Sequence, residues 1–291
     1  MTFNDGANVG GNTARRRGRT TAIAGGGVAG LGGIAVLVVA LLTGGSFDLS
    51  SLLGGGGGAP ETGGTEIENC ETGADANRND DCRLAAATLN LDQYWATQVE
   101  GYAEPQLIIV DGATSTQCGT ASNATGPFYC PPEQTVYVDP TFFGLLREQF
   151  DATAGPLAQL YVLAHEYGHH VQNLIGVMEQ HPNNGTGPDS NSVRTELQAD
   201  CFAGAWVADL PKQVDDQGVP FMKAPTSAQI TDALNAAATV GDDHIQEESS
   251  GRVSPESWTH GSSEQRQRWF DAGYDGGPGA CDTFSVSGSR L

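Results

Sequence analysis

The sequence predicts an α+β domain dominated by helices, with a small sheet and one preceding transmembrane helix. Three observations lead there: an uncharged apolar run at 22–42 behind a group of arginines, several long helical periodicities, and only two short β-type runs. At 291 residues the chain is long enough for one full domain with appendages.

The first element is the apolar run. A helix over 22–42 would be roughly 31 Å long, matching a hydrocarbon core of about 30 Å. Arg15, Arg16, Arg17 and Arg19 stand just before it. Positive flanks stay cytoplasmic, so 1–21 reads as a cytoplasmic tail and everything beyond 42 as extracytoplasmic, in a single-pass arrangement. A cleaved signal would be shorter and would end in a small-residue site, which is absent here. Gly25, Gly27 and Gly30 fit the dinucleotide fingerprint G-x-G-x-x-G. That fingerprint works only between a strand and a helix, so no cofactor site is read from it. Residues 43–68, with five consecutive glycines at 54–58, read as a flexible spacer. The globular domain is expected over 69–291.

The formal charge is −21, and without residues 1–42 it becomes −24. Such an acidic chain lacks the clustered Lys and Arg that phosphate binding needs, which excludes a nucleic-acid partner. All six cysteines (Cys70, Cys82, Cys118, Cys130, Cys201 and Cys281) lie beyond the apolar run, and none forms C-x-x-C. An even number in an oxidising compartment suggests three disulfides among fifteen connectivities. Equal spacing singles out Cys70 with Cys82 and Cys118 with Cys130, leaving Cys201 with Cys281; buried free thiols are the alternative.

Within the domain, apolar spacing predicts a helix over 82–100 and short strands at 106–110 and 135–138. Helices follow over 140–151, 157–175, 190–210 and 226–247. The last helix begins after Gly261, where Ser262 and Gln265 form a capping box.

The chemistry concentrates in the 157–175 helix. Residues 163–170 read Leu-Ala-His-Glu-Tyr-Gly-His-His, a strict H-E-x-x-H with His165, Glu166 and His169. Positions four apart share a helical face, so both imidazoles reach one Zn²⁺, one ion per chain, and Glu166 beside them can deprotonate a water. The extended motif with a third His fails, because Gln172 and Ile175 occupy its Gly and His places. A third ligand is better sought in Thr195-Glu-Leu-Gln-Ala-Asp200 on the next helix. There Glu196 would bind the metal and Asp200 would accept a hydrogen bond from a ligand imidazole, His165. His260, just before the capped helix, is a candidate donor to an oxyanion. His170, His181 and His244 read as packing or surface residues.

Four blocks, at 118–143, 164–176, 196–204 and 259–270, resemble the bacterial family of neutral zinc metallopeptidases, single-pass envelope proteins with a gluzincin-type site. The resemblance spans roughly 84–291. It implies a zincin-like fold, zinc on His165, His169 and Glu196, a catalytic Glu166, and an uncleaved anchor in the bacterial cell membrane. The Cys70/Cys82 pair and the long glycine spacer have no match in the family pattern. By analogy with zincins, the strand at 135–138 could pair with an extended substrate, with Val136 and Val138 contributing. The expected activity is hydrolysis of a peptide or protein substrate, endopeptidase rather than exopeptidase. A zinc amidase on cell-wall peptide and an inert zinc-binding envelope protein are the alternatives.

Overall fold

A computed structural model describes residues 3–18, 64–150 and 153–291 of the chain. The expected span at 22–42 and most of the glycine spacer lie outside the described residues. Among the described residues, no helix is long and apolar enough to cross a membrane.

A mixed five-stranded sheet sits on one side of a helical core. Its strands are β1 (Arg15–Arg17), β2 (Thr65–Glu66), β3 (Gln106–Val110), β6 (Phe128–Cys130) and β7 (Thr135–Val138), in the order β2-β1-β3-β7-β6. β1, β3 and β7 run parallel, while β2 and β6 close the two edges antiparallel. A separate hairpin pairs β4 (Ala113–Thr116) with β5 (Gly119–Ser122). β3 and β7 are apolar on both faces, as strands buried in the middle of a sheet must be.

The expected pairing of 135–138 with substrate does not survive this order. β7 is hydrogen-bonded to β3 on one side and to β6 on the other, so its backbone has no free edge. The edge strand on this side is β6, three residues that read as part of a loop because Pro131 and Pro132 cut the apolar pattern short.

The helices are α1 (Gly73–Arg78), α2 (Asp80–Gln98), α3 (Phe142–Phe150), α4 (Pro156–Leu174), α5 (Val177–Gln180), α6 (Asn191–Asp209), α7 (Ser227–Thr239), α8 (Asp242–Ser250) and α9 (Ser263–Gly276). The single helix expected over 226–247 is two. It breaks at Gly241, where Asp242 and Asp243 begin a new first turn and favour the positive end of its dipole. The Ser262/Gln265 capping box of α9 forms as expected.

α4, α6 and α9 are the spine. A Cβ on Gly168 would lie 2.9 Å from the Ala199 Cα, so α4 and α6 cross at backbone contact. α6 and α9 meet the same way, since side chains on Gly204 and Gly273 would overlap the carbonyl oxygens of Phe270 and Cys201. The first crossing sets the distance between the H-E-x-x-H helix and Glu196. All three expected disulfides form, and no cysteine is free among the described residues.

Residues 3–18, expected as a separate tail, pack into the domain: Phe3, Ala7, Val9 and Ala14 join the main core.

One buried acid gives the fold a pH dependence. Burial pushes the Asp92 carboxyl up to about 7 from the ordinary 3.8, against the pull of the bond it accepts from the Tyr102 hydroxyl (2.7 Å). The fold therefore keeps a proton that the unfolded chain releases near 3.8. Stability from this group is full below pH 4 and is lost as pH rises to about 7, by at most about 1.4 kcal/mol per unit. Asp92→Asn should melt above the wild type at pH 8 and converge with it near pH 4, which a melting series against pH checks.

Candidate metal centre

The helix crossing at Gly168 brings His165, His169 and Glu196 together, with ligand atoms all within 4.8 Å of one another. His165 Nε2 lies 3.1 Å from Glu196 Oε2, and His169 Nε2 lies 3.5 Å from Glu196 Oε1. All three side chains are buried.

The far side of each imidazole is held. His165 Nδ1 donates to Asp200 Oδ1 (2.8 Å), as expected for Asp200. Asp200 in turn accepts from Arg266 through Nε (2.8 Å) and Nη2 (2.9 Å), and from the Tyr161 hydroxyl. His169 Nδ1 donates to Gln172 Oε1 (2.9 Å), and Gln172 Nε2 donates to Gln198 Oε1 (3.0 Å) and Thr195 O (2.7 Å). Gln198 Nε2 then donates to Cys281 O (2.9 Å). Fixing both Nδ1–H groups leaves the two Nε2 lone pairs as acceptors aimed at a third acceptor, the Glu196 carboxylate.

Two imidazole nitrogens and one carboxylate oxygen converging in a buried site form a zinc donor set. His169 Nε2 is buried without a hydrogen-bond partner, as a ligand atom reserved for a metal would be. The carboxylates around the rings draw positive charge to this point. Burial disfavours a charged His165, yet Asp200 and Glu196 outweigh it and push the imidazole up to about 10. Burial likewise opposes ionisation of Glu196, but His169 and His260 hold it well below the usual range. The residues present therefore fit the metal.

Glu166 projects from α4 next to the ligands. It is wholly buried, and neither carboxylate oxygen has a hydrogen-bond partner. Burial pushes it above its ordinary value, against the pull of His169 and His165. A carboxyl whose hold on a proton is strengthened in this way can take one and give it back.

His260 is brought to the same cluster, close enough to Glu196 for each to shift the other. Asp242 Oδ2 accepts from the backbone N–H groups of Thr259, His260 and Gly261 (2.7, 2.7 and 2.9 Å), which fixes the loop that presents the ring. Burial opposes a charged His260, but Glu196 and Asp242 outweigh it and raise its pKa. His170 is structural: Nε2 donates to Ala103 O (2.6 Å), and Nδ1 accepts from the Tyr129 hydroxyl (3.0 Å), tying β6 to α4. His181 stacks on Phe284, and His244 is only partly buried.

Tyr161, Gln172, Gln198 and Arg266 escaped the sequence reading. The helical offset of Tyr161, four residues before His165 on the same face, was the one local signal available.

The Cys201–Cys281 disulfide closes 80 residues and anchors the segment whose carbonyl ends the His169 chain. Replacing both cysteines by alanine should cost about 2–5 kcal/mol by thermal or denaturant unfolding. It should also weaken zinc binding, because Gln198 loses its fixed acceptor.

The family model described as "Putative neutral zinc metallopeptidase" matches residues 3–284. An uncharacterized protein of Mycobacterium tuberculosis strain H37Rv is 48% identical over 227 residues, covering 77% of this chain and 77% of the relative. The uncharacterized protein YpfJ of Escherichia coli K12 is 37% identical over 270 residues, covering 89% of this chain and 88% of the relative. No solved structure matches the chain.

Proposed function

The chain belongs to the neutral zinc metallopeptidase family, and from that premise we propose that it is a zinc-dependent endopeptidase acting outside the cytoplasm. One observation carries the reading: an unpartnered, buried Glu166 carboxylate adjoins two imidazoles and a carboxylate that converge as acceptors.

Zinc held by His165, His169 and Glu196 would supply Lewis acidity toward a water and the scissile carbonyl. Glu166 takes the proton of the attacking water and returns it to the leaving nitrogen. His260, carrying a proton near Glu196, donates to the oxygen on which negative charge develops. Asp200 and Gln172 keep both ligand rings in the Nδ1–H tautomer. β6, an edge strand packed against α4, supports the endopeptidase reading, since an extended peptide can run along a strand edge in both directions. The three disulfides support the extracytoplasmic setting, and the apolar run at 22–42 supports membrane attachment.

The full burial of Glu166 favours one second reading, a zinc protein whose site stays closed to substrate. The full-length protein should cleave casein or a quenched fluorescent peptide, lose that activity to a chelator, and regain it with zinc. A protein with one bound zinc and no hydrolysis of any peptide would establish the closed site instead.

A further inference from the structure

Residues 3–18 are built into the domain as if they had no membrane between them and it. Phe3, Ala7, Val9 and Ala14 are each 2% exposed or less. Val9 N donates to Glu71 O (3.0 Å), Gly73 N to Ala7 O (2.9 Å), Asn4 N to Phe221 O (2.9 Å) and Asn8 N to Asp215 Oδ2 (2.8 Å). The three nearest atoms that a Cβ on Gly73 would meet belong to Phe3 and Asn4, and it would overlap the Asn4 carbonyl oxygen. Glycine at 73 is thus matched to the close approach of the amino-terminal segment.

The strands make the point sharper. β1 covers the edge of β3 in parallel register, and β2 returns antiparallel to it, with Arg15 opposite Glu66 and Arg16 opposite Thr65. Residues 17 and 64 therefore stand opposite each other at the same end of neighbouring strands, about 5 Å apart by strand spacing. A single crossing of a bilayer separates its two ends by about 30 Å, with lipid between them. The arginines expected to mark a cytoplasmic flank have partners in the domain. Arg16 pairs with Asp81, and Arg17 Nη1 donates to the Tyr137 hydroxyl (3.3 Å).

We propose that residues 3–18 are a structural part of the catalytic domain and lie on the same side of any membrane as residues 64–291. The β3 edge and the backbone at Gly73 and Phe221 receive them. Both ends of the intervening 19–63 segment then emerge on one side, and the amino terminus shares the oxidising compartment that the disulfides require. The positive flank of the apolar run implied the opposite arrangement.

The full-length protein in intact cells provides the test. Every native cysteine is in a disulfide, so Thr13→Cys and Glu248→Cys, both at exposed positions, report alone to a membrane-impermeant maleimide. Equal labelling of the two before lysis, or equal protection of both until lysis, is expected. Labelling of one with protection of the other overturns the proposal. A second measurement addresses the packing: Phe3→Ala in the detergent-extracted full-length protein should lower Tm by about 5–15 °C. An unchanged Tm would mean that the segment is not seated in the core.

Discussion

Glu166→Gln is expected to lower peptide hydrolysis by about 10²–10⁴-fold while leaving zinc content and fold intact. The size follows from the role: a positioned acid–base group contributes that much, and an amide of the same shape cannot accept the water's proton. Stability separates this loss from damage. The carboxylate oxygens of Glu166 have no hydrogen-bond partners, and burial already disfavours their charge. The amide therefore breaks no bond and removes a strained titration, so Tm should stay level or rise. Metal analysis by mass spectrometry, a melting curve and a fluorescent peptide assay on one sample check all three. Full activity in the variant would remove Glu166 from the chemistry, and with it the reading of the site.

The parts legible in the sequence are those written in short-range patterns. His165, Glu166 and His169 share a helical face by spacing, Glu196 and Asp200 repeat the same offset one helix later, and equal loop lengths paired the first four cysteines. What escaped depends on contacts made across long separations. Arg266 meets Asp200 from 66 residues away and Tyr161 from 105. Seen locally it is one of several charges in a polar helix, indistinguishable from a solvated face. Gln172 attracted notice only for breaking an extended motif, whereas it is the residue that orients His169. Residues 3–18 carry too few apolar side chains, at no regular period, to read as packed. Their strand is three arginines, which read more readily as a membrane flank. β7 illustrates the opposite error: an apolar strand was legible, but its neighbours, which decide whether it has a free edge, were not.

Arg266→Leu should be the most damaging single change away from the ligands themselves. Its side chain is wholly buried, and it makes two bonds to Asp200 plus one to the Tyr161 hydroxyl (3.2 Å). Burial opposes ionisation of Asp200, and Arg266, ahead of His165, outweighs that and holds the carboxylate below its ordinary range. Removing the guanidinium leaves a buried carboxylate held only by His165 and the neutral Tyr161 hydroxyl, a loss of about 3–5 kcal/mol. The consequence reaches the metal. Asp200 is the acceptor that fixes the His165 ring, and once it draws a proton it no longer demands the Nδ1–H tautomer, so zinc affinity should fall about 10–100-fold. Arg266→Lys keeps the charge but loses the fork that meets both carboxylate oxygens, and should recover stability only in part. The double variant with Asp200→Asn separates the two effects. Neutralising the stranded carboxylate should restore much of the lost Tm, while zinc affinity, which needs a charged acceptor behind His165, should stay low. Recovery of both together would mean that Arg266 acts on stability alone.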